Sequence, residues 1–308
     1  MFKLARYLLI FAFSLLASVI LISLFFGKTV LRNIVSELPI ISVIFSPEPK
    51  AEPVVLRPER NVRLLEGWTN KDMGQYFERE GIWQSEEFLE KAGFPQVDYS
   101  QEKDLPQPLD FSEQFEFLKD KPKSQGLEGY LYPDTYRIFA DGATPEELIV
   151  KMLDNFDKRL TPQMRTDIKK QGKTIFEIVT MASLIEKEAP INYKTGDNHD
   201  AKIIAGIFWN RIKYGQALQS CASLAYILGV NKPQYSTADT QVESLYNTYK
   251  YRNLPPGPVS NPGILAIEAA IYPIHTNYNY FLTPANSKDI IYSVSYEEHL
   301  RNKNKYLP

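Results

Sequence analysis

Thr174-Ile175-Phe176-Glu177-Ile178-Val179-Thr180-Met181-Ala182-Ser183-Leu184-Ile185-Glu186-Lys187-Glu188-Ala189 is followed at once by Pro190. Thr174 and Glu177 have the spacing of a capping box, which sets the helix start, and Pro190 closes it. At about 100° per residue, Ile175, Ile178, Val179, Ala182, Ile185 and Ala189 share one face, which has to pack against a domain. Glu186 falls within that arc, near Val179 and Ala182. Glu188 points elsewhere, beside Met181 and Glu177, so the wheel gives the buried stripe one carboxyl and excludes its neighbour. Burial disfavours the charged form, and a carboxyl kept protonated near neutral pH is what a general acid needs. Small neighbours Ala182, Ser183 and Ala189 would leave room for a ligand. On the wheel alone the preferred reading is blander: an edge carboxyl paired with an Arg or Lys.

Outward from this helix the signals alternate between helix and strand. Pro145-Glu146-Glu147 opens a helix to about Leu160, with Pro in the first turn. Ala201 to Lys213 forms another, ended near Gly215. Leu254-Pro255-Pro256-Gly257-Pro258 must be a rigid loop, and Ile264 to Ile271 is a short apolar helix. Tyr278–Thr283 and Asp289–Ser295 read as a hairpin. On the N-terminal side, residues 60–98 read as strand, helix, helix. The strand lies near Asn61–Leu65, one helix is capped by Thr69 or Asn70 and runs to about Glu80, and another starts at Ser85 and ends at Gly93. That order is the one expected of a LysM-like glycan-binding unit. Residues 99–126 are a polar linker with one short helix near Phe111–Leu118. The expected class is α+β.

Tyr7 to Phe26 is apolar without one charge, and a bilayer-spanning helix takes roughly 20 such residues. Lys3 and Arg6 before it favour a cytoplasmic N-terminus. The competing reading, a cleaved signal peptide, needs an apolar core of about 7–15 residues and a small-residue cleavage site, and Ser23-Leu24-Phe25-Phe26 is a poor one. The expected division is a cytoplasmic tip and transmembrane anchor at 1–27, a Pro-rich stalk at 28–59, a LysM-like subdomain with linker at 60–126, and a catalytic domain at 127–308. Everything beyond the anchor is expected outside the cytoplasm.

The formal net charge of -2 lacks the basic footprint of a nucleic-acid binder. A single cysteine, Cys221, allows no intrachain disulfide and no Cys-based zinc site. His199, His275 and His299 show no metal-binding spacing, so no metal and no cofactor are expected.

Several segments, in order, resemble one family. Met181-Ala182-Ser183-Leu184-Ile185-Glu186-Lys187-Glu188 is similar to the active-site helix of the endolytic murein transglycosylases, the YceG-like family. Leu127-Glu128-Gly129-Tyr130-Leu131-Tyr132-Pro133-Asp134-Thr135-Tyr136 resembles its entry motif. Phe208-Trp209-Asn210-Arg211-Ile212 with Leu218-Gln219-Ser220 resembles the next block. Tyr246-Asn247-Thr248-Tyr249, Leu254-Pro255-Pro256-Gly257-Pro258 and Asn261-Pro262-Gly263 resemble the last, and Tyr296-Glu297-Glu298-His299 the C-terminal signature. The resemblance covers about residues 60–308. One block departs from the pattern: where most relatives have Asp-Pro-Thr, this chain has Cys221-Ala222-Ser223. With no His nearby in sequence, Cys221 reads as a small, partly buried residue and not as a nucleophile.

The resemblance implies an α+β catalytic domain behind a LysM-like subdomain, acting on nascent, uncrosslinked peptidoglycan strands at the outer face of the inner membrane. Peptidoglycan synthases are further expected partners. It implies that Glu186 is catalytic, which reverses the preference left by the wheel. Glu186 would protonate the glycosidic oxygen between N-acetylmuramic acid and N-acetylglucosamine. It would then take the proton of the muramic acid 6-hydroxyl as that oxygen closes a 1,6-anhydro ring. One carboxyl thus serves both steps, where hydrolases use a pair. By resemblance, Gln219, Ser220, Asn247 and Tyr249 support the developing charge, and Glu128, Asn210 and Arg211 orient Glu186 or bind sugar. Three alternatives stand beside this: a non-catalytic glycan-binding scaffold, a water-using hydrolase pairing Glu186 with Asp134, and a peptidase. The sequence offers the last no nucleophile constellation.

Overall fold

The computed structural model describes residues 57–232, 234–284 and 289–307; the expected anchor at 7–26 and nearly all of the stalk lie outside them. Residues 57–308 make one compact unit of helices and two small antiparallel sheets, an α+β arrangement. Strand β1 (Glu59–Arg63) pairs with β2 (Thr135–Phe139), with Asn61 opposite Arg137. Val62, Tyr136 and Ile138 turn inward while their neighbours stay at the surface, the alternation of a half-buried strand. This sheet joins residues on the two sides of the boundary expected at 126/127. Strand β3 (Tyr280–Leu282) pairs with β4 (Ile291–Ser293), where the hairpin was expected.

Between β1 and β2 lie α1 (Asn70–Arg79) and α2 (Ser85–Ala92), followed by a single 3-10 turn at Glu116–Leu118. The helices after β2 are α3 (Pro145–Arg159), α4 (Pro162–Lys170), α5 (Ile175–Glu188), α6 (His199–Lys213), α7 (Cys221–Leu228), α8 (Ile264–Ile271) and α9 (Tyr296–Tyr306). Threonine starts α1, α3 and α5. In each, the side chain of Thr69, Thr144 or Thr174 accepts from the third helical amide, and an Asp or Glu reaches back. Each such cap is worth ~1 kcal/mol.

The sequence reading left α4, α7, α9 and β2 unassigned. Their signals are short but physical: Thr161 with Pro162 opens α4, Ser220 caps α7 and Gly229 closes it at φ 67°, and Ser295 caps α9. β2 alternates within the motif that was read for its chemistry. One continuous core joins the small N-terminal elements to the rest, from Val62, Phe77 and Phe88 through Phe117 and Phe156 to Ile185 and Ile267. Helix α5 lies in its middle, in contact with α4, α6, α7 and α8. Among the described residues no helix is long and apolar enough to cross a membrane.

Candidate active site

Every residue of α5 from Ile178 to Ile185 is buried, so the helix is covered on all sides and not along one stripe. Its polar members turn to backbone: Thr180 donates to the Phe176 carbonyl, and Ser183 donates to the Thr180 carbonyl while accepting from the Val259 amide. This overturns the one-carboxyl reading of the wheel. With neighbours all round, the last turn carries both Glu186 and Glu188 inward, in different directions.

Each carboxyl meets the start of another helix. Glu186 Oε2 accepts from the Tyr193 hydroxyl at 2.5 Å and from the amide of Gly263, the N-cap of α8, at 3.0 Å. Burial pushes the Glu186 carboxyl up to about 7, against the lowering pull of Tyr193 and Gly263, with Glu66 adding to the rise. Gly263 is a glycine for a steric reason, since a Cβ there would run into the Tyr193 ring and hydroxyl. Glu188 Oε1 accepts from Ser220 Oγ at 2.6 Å and from the Ala222 amide at 3.1 Å, at the N-terminus of α7. Burial raises the Glu188 carboxyl too; Ser220, the Ala222 and Cys221 amides and the positive Arg211 pull the other way. Helix starts present free amides and a positive dipole end, so they can hold a carboxylate after it loses its proton.

The two carboxyls differ in what lies in front of them. Glu188 borders a pocket of about 390 Å³ with Arg211, Gln219, Cys221, Tyr249 and Tyr280. Arg211 is buried and fixed by the carbonyls of Leu218 and Asn279, which aims its charge without pairing it rigidly to the acid. Gln219 has φ 51°, a conformation costly for a residue with a Cβ, and its amide is held by the Thr248 carbonyl at 2.9 Å. Tyr249 meets Cys221 through its hydroxyl, 3.2 Å from Sγ. Cys221, the first residue of α7, is exposed at the rim of the pocket and not partly buried as the sequence suggested. Its thiol is pushed up by what burial it has and by Glu188, so it stays protonated.

Of the other residues expected at the site, Glu128 lies inside the protein. Its Oε1 accepts from the Asn70 amide and Asn261 Nδ2, and its Oε2 from the Tyr226 hydroxyl; burial raises its carboxyl to about 8. Asn210 Nδ2 ties α6 to the Thr276 carbonyl. Asn247 is buried, donating to the Thr240 and Val242 carbonyls and accepting from the Tyr249 amide, which fixes the backbone beside the pocket. Asp134 bonds Asn155 and Arg159. Tyr193 carried no signal in the sequence, since it sits in a loop without a motif. Asn261 and Gly263 were quoted within a block but given no role.

A model of the YceG-like family matches residues 37–305. The chain belongs to the YceG-like family. It is 36% identical over 181 residues to the endolytic murein transglycosylase of Bacillus subtilis (strain 168), covering 59% of this chain and 48% of that protein. It is 38% identical over 190 residues to the endolytic murein transglycosylase of Streptococcus pneumoniae serotype 2, covering 60% of this chain and 33% of that one. The chain thus spans half or less of the curated relatives it matches. It also resembles the crystal structure of a yceG-like protein from Listeria monocytogenes, with TM-score 0.63 and 32% identity over 79% of this chain and 76% of that one.

Proposed function

We propose that this protein is an endolytic murein transglycosylase that cuts peptidoglycan glycan strands between N-acetylmuramic acid and N-acetylglucosamine and leaves a 1,6-anhydro end. The observation that carries this reading is the Glu188 carboxyl at the wall of one pocket, bonded by Ser220 and accompanied in the lining by Arg211, Gln219 and Tyr249. These are four of the residues that sequence resemblance had assigned to substrate.

The geometry favours Glu188 as the acid and base, two residues along from the position the resemblance implied. Ser220 and the Ala222 amide hold Oε1, which fixes the orientation of the carboxyl at the pocket wall. Glu188 protonates the glycosidic oxygen as the bond to the anomeric carbon breaks. The carboxylate so formed is held by the α7 amides and Arg211, then takes the proton of the muramoyl 6-hydroxyl as that oxygen bonds to the anomeric carbon. No water enters. The rings of Tyr249 and Tyr280 and the side-chain carboxamide of Gln219 supply the apolar faces and hydrogen bonds a sugar needs. Glu186 is the second reading, favoured by its carboxyl near 7 and its Tyr193 contact.

The test is the mass spectrum of product ends from uncrosslinked strands. Glu188→Gln should lose about 10²–10⁴-fold in rate, the usual worth of a general acid, while Glu186→Gln keeps most of it. The opposite pattern returns the acid to Glu186. Reducing ends would indicate a hydrolase, and strand binding without cleavage a scaffold.

Tyr7–Phe26 supports a single-pass anchor, with residues 57–308 at the outer face of the inner membrane beside the peptidoglycan synthases. The order β1, α1, α2 supports a LysM-like unit. Protease accessibility in intact spheroplasts tests the orientation.

A further inference from the structure

Consecutive residues at the active turn face two different hollows. Glu188 and Cys221 border the pocket described above. Lys187 and Ala222, each one residue away, border a groove of about 560 Å³. Lys71, Leu89 and Phe94 lie along this groove from the side of α1 and α2, and Tyr226 and Asn231 from the side of α7. Its charge is one-sided. Lys71 and Lys187 line it, and its one carboxylate, Asp72, is taken up by the capping box, with Oδ2 accepting from the Thr69 amide at 2.9 Å and hydroxyl at 2.8 Å. Lys187 Nζ is held at the Gly67 carbonyl, 3.2 Å away. Lys71 takes part in none of the ion pairs among the described residues.

The geometry points to this groove as a subsite for a carboxylate-bearing peptide, the acidic stem that hangs from the muramoyl residue of a glycan strand. The inference rests on the reading of the Glu188 pocket as the place of cleavage. A muramoyl sugar reacting at Glu188 must send its lactyl-linked peptide out of the pocket, and the adjoining hollow begins at the neighbouring residues. Its volume suits one short peptide. Lys71 and Lys187 meet the peptide carboxylates, while Leu89, Phe94 and Tyr226 meet its methyl and methylene groups.

The experiment compares the full chain acting on strands that carry stems and on the same strands after the stems are removed, with Lys71→Met and Lys71→Arg alongside. The expected result is a kcat/KM about tenfold higher on stem-bearing strands, the usual worth of one charge-assisted contact. That preference should largely vanish in Lys71→Met and return in Lys71→Arg, with the rate on stripped strands unchanged. Equal kcat/KM on both substrates, or equal loss on both in Lys71→Met, overturns the proposal. If the chain cleaves neither, the reading of its activity has failed, and titration with a free acidic stem peptide still decides the groove. Binding weakened about tenfold by Lys71→Met supports it, and no binding at millimolar peptide overturns it.

Discussion

Glu128→Gln should make the protein more stable at alkaline pH and leave it nearly unchanged at pH 5. Glu128 is enclosed by Asn70, Asn261 and Tyr226, with no cation among its partners, and its carboxyl sits near 8 against an ordinary 4.5. In the unfolded chain the group ionises near 4.5; in the folded protein it holds its proton to about 8. Between those values the folded state binds more protons, so stability falls as pH rises through this window. At ~1.36 kcal/mol per pH unit the loss is on the order of 4–5 kcal/mol, complete above about 8. Glutamine matches the protonated form in shape. Its oxygen can accept from Asn70 and Asn261, and its NH₂ can donate to the Tyr226 hydroxyl. Urea unfolding at pH 5, 7 and 9 should show the two proteins within about 1 kcal/mol at pH 5, and the variant ahead by several kcal/mol at pH 9. A difference that stays constant with pH would refute the buried, protonated carboxyl.

Tyr193→Phe removes a hydrogen bond that favours the charged form of Glu186, so the titration of that carboxyl, followed by NMR, should move above about 7. Ser220→Ala takes away both the α7 cap and the hydroxyl on Glu188 Oε1; it should cost about 1–2 kcal/mol in thermal stability and at least tenfold in strand cleavage, measured separately. Gly206→Ala drives a methyl into the Ile274 carbonyl oxygen, a rigid backbone contact, and should cost about 2–4 kcal/mol in chemical denaturation.

Much of the fold was legible because local chemistry marks it. The cap at Thr69 or Asn70, Pro145 in a first turn and the capping box of Thr174 with Glu177 place three helix starts to within a residue, and the apolar and aromatic runs near 278–283 and 289–295 find the C-terminal hairpin. The site was less legible, for a reason visible in α5. A helical wheel tells which face is apolar, not how many faces are covered, and α5 is covered on all of them. Glu188 therefore looked exposed. Its partners Ser220 and Ala222 lie more than thirty residues away, and no periodicity in one helix announces a hydrogen bond to the start of another. Asn247 and Glu128 show the converse: a polar residue in a recognisable motif can owe its place to backbone carbonyls or buried amides.

The pairing of β1 with β2 also bears on how the protein is made. As the chain leaves the ribosome, β1 is among the first described residues to emerge, yet its partner ends at Phe139. The Asn70 amide waits for Glu128, and the Asn70 side chain for Asn261, 191 residues further on. The small N-terminal elements thus cannot complete their hydrogen bonds until segments far along the sequence have been made, and contacts of such long sequence separation form slowly. The Lys71 groove, lined from Thr69 to Val259, and the Glu188 pocket, lined from Glu188 to Lys303, each draw on segments widely separated in sequence, so neither hollow exists in any short piece of the chain.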